Sequence, residues 1–429
     1  MVLRATLLLV IPLAAANACE TAADCAYAGE CNGGRCVCNA HWSGPNCTTL
    51  RLLPSPTTDA AGLRRKSSSS WGGSVIWDAE RERWVMLFSD MEGHCGLNAW
   101  KRNSRICMAT SANSSSPVGP FAMNNSSSSS SSSSAVVLPS WAHNPTVHGP
   151  ILTPPAGYEQ ATGNSSSTSA VYLIYHIGTG HGGIYGKPRT DCTNGTTPSS
   201  RDGDAATDGA TAAVQPRAVG GPIPPPPFVL PRAVTPNLLV ASSVNGPWAP
   251  HRWGKLGWGC NNPGAAVLKN GTVVLACKVM LHRGPDGGLP WRQMAIYVAP
   301  SWRGPYELRR LTPVYGEDAY VWHDPAADGG TGAFHMLLHA MRPTKVPTTA
   351  WSKDGLEWIA NGYAGPPHPQ PRASFNHSIA LAGGGLVELQ RRERHQPIFR
   401  DGKLVGLCNG VTTGVDDDYS FTACVPVAT

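Results

Sequence analysis

The residues best equipped for chemistry are the paired carboxylates Glu317 and Asp318, which open the run YGEDAYVWHDPAADGGTGAFHMLLHAM over 315–341. Two carboxyl groups on one sugar-sized pocket can split a glycosidic bond, one protonating the leaving oxygen while the other activates water or attacks the ring carbon. Further carboxylates stand at Asp90, Glu92, Asp324 and Glu393. On a regular strand neighbouring side chains point to opposite faces, so Glu317 and Asp318 are expected not to work as the pair together. His94, His143 and His323 are candidates to bond sugar hydroxyls, and Trp100, set among polar residues, is the candidate to stack on a sugar ring. Trp322, followed by His323 in a strand, reads as core.

Metal and nucleotide chemistry find little support. His335 and His339 have a His-x3-His spacing, but on a strand such rings do not converge as they do on a helix, so packed or solvated histidines are expected. Gly178, Gly180 and Gly183 fit a G-x-G-x-x-G with no helix after it, and Asp202, Asp204 and Asp208 lack the glutamate that closes a calcium loop. No metal and no cofactor is expected. There is no Cys-His pair at catalytic spacing and no G-x-S-x-G elbow.

The elements that position these residues are strands. Residues 319–323 and 333–341 read as the two arms of a hairpin around turn-forming 324–332, and the same layout recurs. Its other copies are 72–91, then 143–178 with an insertion, then GAAVL-KNG-TVVLACKV turning at Asn270-Gly271, and finally 377–390, followed by QPIF-RDG-KLVGLC turning at Asp401-Gly402. Each unit continues into a second apolar strand, a polar turn and an aromatic beside a glycine. Units of about 50–60 residues without helices between them imply blades around an axis, and the length leaves room for five. An all-β, five-bladed β-propeller over 71–429 is therefore expected.

Ahead of it, 1–18 combine Arg4, an apolar run and small residues, which fits a cleaved secretory signal. No other stretch is long and apolar enough for an integral membrane segment. Asn-x-Ser/Thr triplets at Asn46, Asn113, Asn125, Asn164, Asn194, Asn270 and Asn376 suit export to the extracellular space or cell wall. The net charge of +6 is scattered, so no nucleic-acid partner is expected. Residues 48–70 read as a linker, while 126–134, 164–169 and 191–227 read as low-complexity surface insertions.

Six cysteines at C-x5-C-x5-C-x4-C-x-C-x8-C fill 19–47, a segment too short for a core of its own. Their spacing, with Gly44 before the last cysteine, resembles the epidermal-growth-factor-like module. That resemblance implies Cys19–Cys31, Cys25–Cys36 and Cys38–Cys47, where the spacing alone admits 15 pairings. The acidic residues of the calcium-binding form are missing, so a spacer or adhesion module is expected, with a protein partner as its possible use. Seven cysteines remain, an odd number, with Cys408 and Cys424 the reasonable pair.

The propeller stretch in turn resembles glycoside hydrolase family 43 and its arabinanase, levansucrase and invertase relatives. The likeness rests on Trp71-Gly72-Gly73-Ser74, the run from His94 to Trp100, His143-Asn144-Pro145, Asn261-Asn262-Pro263, Glu317-Asp318 and Arg392-Glu393-Arg394. It implies that the residues opening each blade surround one axial pocket holding an inverting pair of carboxylates plus a third acid. Glu317 or Asp318 would be the general acid, with Asp90 or Glu393 as further catalytic carboxylates. His94, Trp100, His143, Asn144, Asn262, His323 and Arg394 would bind a carbohydrate. The chain departs from the family at the base, since Gly73-Ser74 stand where the first blade usually carries an aspartate, and asparagines open the next two. A non-catalytic carbohydrate binder on a degenerate propeller is the alternative.

Overall fold

A computed structural model describes residues 18–55, 61–65, 68–123, 135–151, 170–178, 189–192, 235–251, 260–281, 291–340, 346–362, 371–414 and 419–429. The expected signal, the insertions at 126–134 and 164–169, and nearly all of 191–227 lie outside these residues.

The fold is all-β. Each apolar hairpin grows into an antiparallel meander, and five such sheets form the blades. Blade 1 runs Ser70–Asp78, Arg83–Met91, Ser104–Ser111 and Phe121–Ala122, with Val136–Leu138 beside its third strand. Blade 2 runs Ala142–Ile151, Val171–Gly178, Thr235–Ala241 and Ala249–His251, and blade 3 runs Asn261–Val267, Val273–Leu281, Trp291–Ala299 and Glu307–Tyr315. Blade 4 runs Glu317–Asp324, Ala333–Ala340, Val346–Ser352 and Ile359–Ala360, and blade 5 has Arg391–Arg400, Lys403–Thr412 and Phe421–Pro426. The innermost strands touch in a closed cycle, blade 1 to 2, 2 to 3, 3 to 4, 4 to 5 and 5 back to 1.

Burial on both faces explains why the second strands read as continuous apolar runs rather than alternating ones. In blade 3, Leu275 and Cys277 pack toward blade 2 while Val274 and Ala276 pack toward blade 4. Equivalent layers lie between blades 1 and 2 and between blades 5 and 1.

Two expectations need correction. Residues 377–390 do not supply the inner strands of blade 5. They form a small separate hairpin, Ile379–Ala380 with Leu386–Val387, and the Asp401-Gly402 hairpin provides the blade. Described parts of the segment expected as a linker pair with the last blade. Leu63 and Leu52 bridge to Thr422 and Val427, with Leu63 N–H to Thr422 O at 2.8 Å and Leu53 N–H to Pro426 O at 2.8 Å. An N-terminal segment thus lies along the outer edge of the last blade and ties the ring shut, because three strands alone would leave that edge unpaired.

The disulfide-rich module pairs as the resemblance implies, Cys19–Cys31, Cys25–Cys36 and Cys38–Cys47. It is no detached spacer. Trp42 stacks on His335 at 5.9 Å, and His335 stacks in turn on Trp322 at 5.1 Å, so the module shares a core with blades 4 and 5. Three further disulfides, Cys95–Cys192, Cys260–Cys277 and Cys408–Cys424, lie in the propeller and leave Cys107 as a buried thiol. Six disulfides suit an extracellular protein. No helix among the described residues is long and apolar enough to cross a membrane.

Candidate active site

Every inner strand carries the same irregularity close to its start. The pairing register slips between Trp71 and Ser74, His143 and Thr146, Asn261 and Gly264, Glu317 and Tyr320, and Glu393 and Gln396. One residue inside each slip is left-handed: Gly72 (φ 62), Asn144 (φ 56), Asn262 (φ 50), Asp318 (φ 60) and Arg394 (φ 51). Glycine, asparagine and aspartate reach this region at least cost, which is why they occupy four of the five places. Such bulges re-aim side chains.

Here they aim them at one another. Asn144 Nδ2 donates to Asn262 Oδ1 at 2.9 Å and approaches Asp318 Oδ1 at 3.5 Å, while Arg394 Nη1 lies 3.7 Å from Asp318 Oδ1. Arg394 Nη2 donates to Asn144 O and to Thr146 Oγ1, both at 2.7 Å. Gly72 completes the ring by having no side chain, since a Cβ there would stand 2.5 Å from Arg394 Cγ. Five blades thus meet in one buried polar ring.

Blades 4 and 5 add charge to it. Glu317 is paired across the sheet with His339, whose Nε2 lies 3.3 Å from Glu317 Oε1 and whose Nδ1 lies 3.6 Å from Asp318 Oδ2. The bulge therefore overturns the expectation from strand alternation, and both carboxylates reach the same imidazole. Glu393 joins them, with ligand atoms of Glu317, His339 and Glu393 all within 4.8 Å of one another. Lys278 of blade 3 forms an ion pair with Glu317. The trio has a spacing a cation could use, but Lys278, Arg394 and His339 already bring positive charge to it.

Protonation follows from this crowding. Burial lifts the Asp318 carboxyl above its usual range, the Glu317 and Glu393 charges push the same way, and His339 and Arg394 oppose them. Burial works against charge on His339, yet contact with Glu317 and the charges of Asp318 and Glu393 outweigh it and raise its pKa. Two groups of one cluster are thereby biased toward holding a proton.

The other expected site residues divide. His143 sits one place before the blade 2 bulge, buried, with Nδ1 2.8 Å from Ser104 Oγ and its ring stacked on Trp100 at 5.0 Å. Ser104 donates its own proton to Ala142 O, so His143 Nδ1 is the donor to Ser104, and burial followed by the Arg394 charge lowers its pKa to about 3. Trp100 is half-buried on the loop after the second strand of blade 1, a loop fastened by Cys95–Cys192. His94 is exposed on that loop, its carbonyl accepting from Tyr419 Oη at 3.2 Å.

Asp90 does not join the axial cluster. Ser89 faces the axis, where its Oγ accepts from Asn144 N–H at 2.9 Å, so alternation turns Asp90 to the other face, onto Arg65 and Arg105. Glu92 is held by Arg105 and Arg189. His323 and Asp324 stand at the opposite end of the blade 4 inner strand from Glu317. There His323 tilts against Phe334, and Asp324 accepts from Ala326 N–H in the turn.

Lys278 and Ser89 were not expected, and His339 was expected only as a packed or solvated histidine. Counting back from the Asp324–Ala333 pair sets Ala340 opposite Glu317, and only the register slip at the bulge brings His339 there, so the sequence carried no direct signal for it.

No protein-family model matches the chain, and no curated protein does. Among solved structures it is similar to a family 117 glycoside hydrolase of Zobellia galactanivorans, at 12% identity and a TM-score of 0.44, covering 89% of this chain and 90% of that one. It is also similar to the catalytic domain of a family 62 α-L-arabinofuranosidase of Coprinopsis cinerea, at 10% identity and 0.43, covering 90% and 96%. A protein of unknown function from Dyadobacter fermentans matches at 12% and 0.47, covering 88% and 98%.

Proposed function

We propose that this chain is a secreted protein whose axial pocket hydrolyses O-glycosyl bonds of an extracellular polysaccharide or oligosaccharide. The observation that carries the reading is the convergence of Glu317, Asp318 and Glu393, from two adjacent blades, on one buried imidazole. Glu317, ion-paired with Lys278, is the carboxylate that attacks the anomeric carbon, and Glu393 gives its proton to the leaving oxygen and later takes one from water. Asp318 lies beneath them in the ring and tunes both. The nearest oxygens of Glu317 and Glu393 lie within 4.8 Å. Oxygens this close leave little room for the water that keeps an inverting pair about 6.5–9.5 Å apart, which supports a retaining route, its carboxyls about 5–5.5 Å apart, over the inversion the family resemblance implies. His143, Asn144, Asn262 and Arg394 surround the sugar, and Trp100 stacks on it. The signal at 1–18, the Asn-x-Ser/Thr triplets and the disulfides support export, and the epidermal-growth-factor-like module offers a surface for a protein partner.

A screen of aryl glycosides and plant or algal polysaccharides tests this, with the product anomer read by proton NMR. Glu317→Gln and Glu393→Gln should each remove the activity, and full activity in both variants would sink the assignment. The second reading, a binder without catalysis, has its own support in Asn144 and Asn262, amides where two blades could have offered a base. Glycan binding by the wild type with no turnover on any substrate of the screen would favour it.

A further inference from the structure

Among the described residues, Arg392 is the one guanidinium of the site with no ion pair to a carboxylate. It is 1% exposed, on the same strand as Glu393 and Arg394. Nε donates to Asn409 Oδ1 at 3.0 Å, and Nη1 donates to Asn376 O at 2.8 Å and Ser378 O at 2.9 Å, all neutral acceptors. The guanidinium lies over the Phe375 ring at 4.6 Å, and Nη2 has no partner. A buried charge matched only by neutral groups is costly, and truncating its surroundings to leave it so is among the more destabilising changes known.

A second donor stands next to it. Because Asn409 Oδ1 accepts from Arg392, its Nδ2 must donate to His395 Nδ1, at 2.6 Å. His395 therefore carries its proton on Nε2, and that N–H is also buried and unpartnered. The Arg392 guanidinium and the His395 ring both rest on Phe375, His395 edge-on at 5.1 Å, and His395 meets His339 edge-on at 6.3 Å. Two donors, one of them a full positive charge, thus share one network through Asn409 and Phe375, and His395 meets His339 of the carboxylate cluster.

We propose that Arg392 and His395 form an oxyanion-binding subsite, taking a carboxylate or sulfate group. The group is carried by the glycan itself, as a uronic acid or sulfate ester, or it is a free anion; the chemistry of recognition is the same, since a charge-assisted N–H bond selects an anionic oxygen. As a statement about substrate it rests on the hydrolase reading above. A neutral ligand would leave Arg392 as it stands, while an acidic one supplies the missing counter-charge. Burial with no compensating carboxylate also lowers the Arg392 pKa to about 9, as expected for a cation short of a partner.

The test uses the full chain with its disulfides intact and follows thermal unfolding during titration with sodium glucuronate, sodium sulfate or glucose at matched ionic strength. Glucuronate should raise the unfolding temperature saturably and glucose should not. Arg392→Gln should weaken the glucuronate response at least about tenfold, the loss of one charge-assisted bond. Saturation by sulfate as well points to a free oxyanion as sufficient, and response to glucuronate alone points to a sugar-borne acid. Should Arg392→Gln fail to fold, Asn409→Asp serves instead, because an internal carboxylate against Arg392 should abolish the anion response in a folded protein. No saturable response to either anion, or a response unchanged in these variants, overturns the proposal. Glu317→Gln keeps the two ideas apart: it should abolish hydrolysis and leave anion binding intact. Cleavage of neutral glycans without anion binding would refute this subsite alone, and anion binding without any cleavage would refute the hydrolase reading alone.

Discussion

Blades 1 to 3 and blades 4 to 5 share one backbone device and use it differently. The left-handed position holds Gly72, Asn144 and Asn262 on one side of the ring, and Asp318 and Arg394 on the other. The residue before it is Trp71, His143 or Asn261 on the first side, and Glu317 or Glu393 on the second. The repeat therefore fixes where a side chain points, and the local sequence decides whether that place is neutral or charged. If the charged side alone does chemistry, amides installed there should cost far more than changes made opposite. Glu317→Gln and Glu393→Gln should each lower turnover on the screened substrate by about 10³-fold, within the range for loss of a positioned acid, base or nucleophile, whereas Asn261→Ala should change it by less than about tenfold. Equal losses on both sides, measured as kcat/KM, would erase the distinction.

The same contrast appears in two histidines. His143 of blade 2 is pushed down to about 3 by burial and by Arg394, and His339 of blade 4 is raised by its carboxylates. For His143 the folded pKa lies below the unfolded value, so its contribution is present above pH 6.5 and is lost as pH falls toward 3. For His339 the folded pKa lies above, so its contribution is complete below pH 6.5 and is lost as pH rises through the folded pKa. Histidine NMR should show the His143 ring neutral down to about pH 4 and the His339 ring titrating above the ordinary histidine value. Removing His143 as His143→Gln should flatten the acid limb of stability against pH by on the order of 5 kcal/mol, and His339→Gln should flatten the alkaline limb. Two rings titrating together near 6.5 would contradict the opposed environments.

Gly72 probes the seam where the two sides meet. Alanine there would combine a left-handed φ of 62 with a Cβ 2.5 Å from Arg394 Cγ, and should destabilise by about 2–3 kcal/mol in denaturant unfolding. A change below about 0.5 kcal/mol would mean that Arg394 does not cross the axis at Gly72.

Much of this was legible in the chain because it is local. Hairpin turns at Asn270-Gly271 and Asp401-Gly402, and apolar runs bounded by turn residues, announce strands without help from the rest of the protein. Repetition then indicated the ring, and the family resemblance implied Glu317, Asp318, Glu393, Asn144, Asn262, His143 and Arg394 as neighbours around its axis. What failed depended on details one step beyond the local pattern. Asp90 was misplaced by a single residue of alternation, and His323 by the length of a strand. Lys278 went unnoticed and His339 was read as a packed or solvated ring, because their roles come from cross-strand register, Glu317 with His339 and Asn261 with Lys278. The bulge itself had a signature in His-Asn-Pro, Asn-Asn-Pro and Glu-Asp-Ala, each with a residue tolerant of left-handed backbone in the middle. The pairing of Leu52, Leu53 and Leu63 with the last blade, and the packing of the disulfide module, were invisible because polar, serine-rich sequence does not show which edge of a sheet lacks a strand.

The smallest expected effect separates backbone from side chain at Asn262. Its Oδ1 is the acceptor for Asn144 Nδ2, and its φ of 50 is left-handed. Asn262→Ala loses the bond and bears the steric penalty of a Cβ in that region, together about 2 kcal/mol. Asn262→Gly loses the bond but relieves the penalty, which turns blade 3 into the arrangement blade 1 already has at Gly72, and should cost about 1 kcal/mol. The difference between the two variants in denaturant unfolding is then the backbone's share alone. A glycine variant no more stable than the alanine would mean that the left-handed turn is not what selects this residue, and that the amide is retained for its hydrogen bond to the ring.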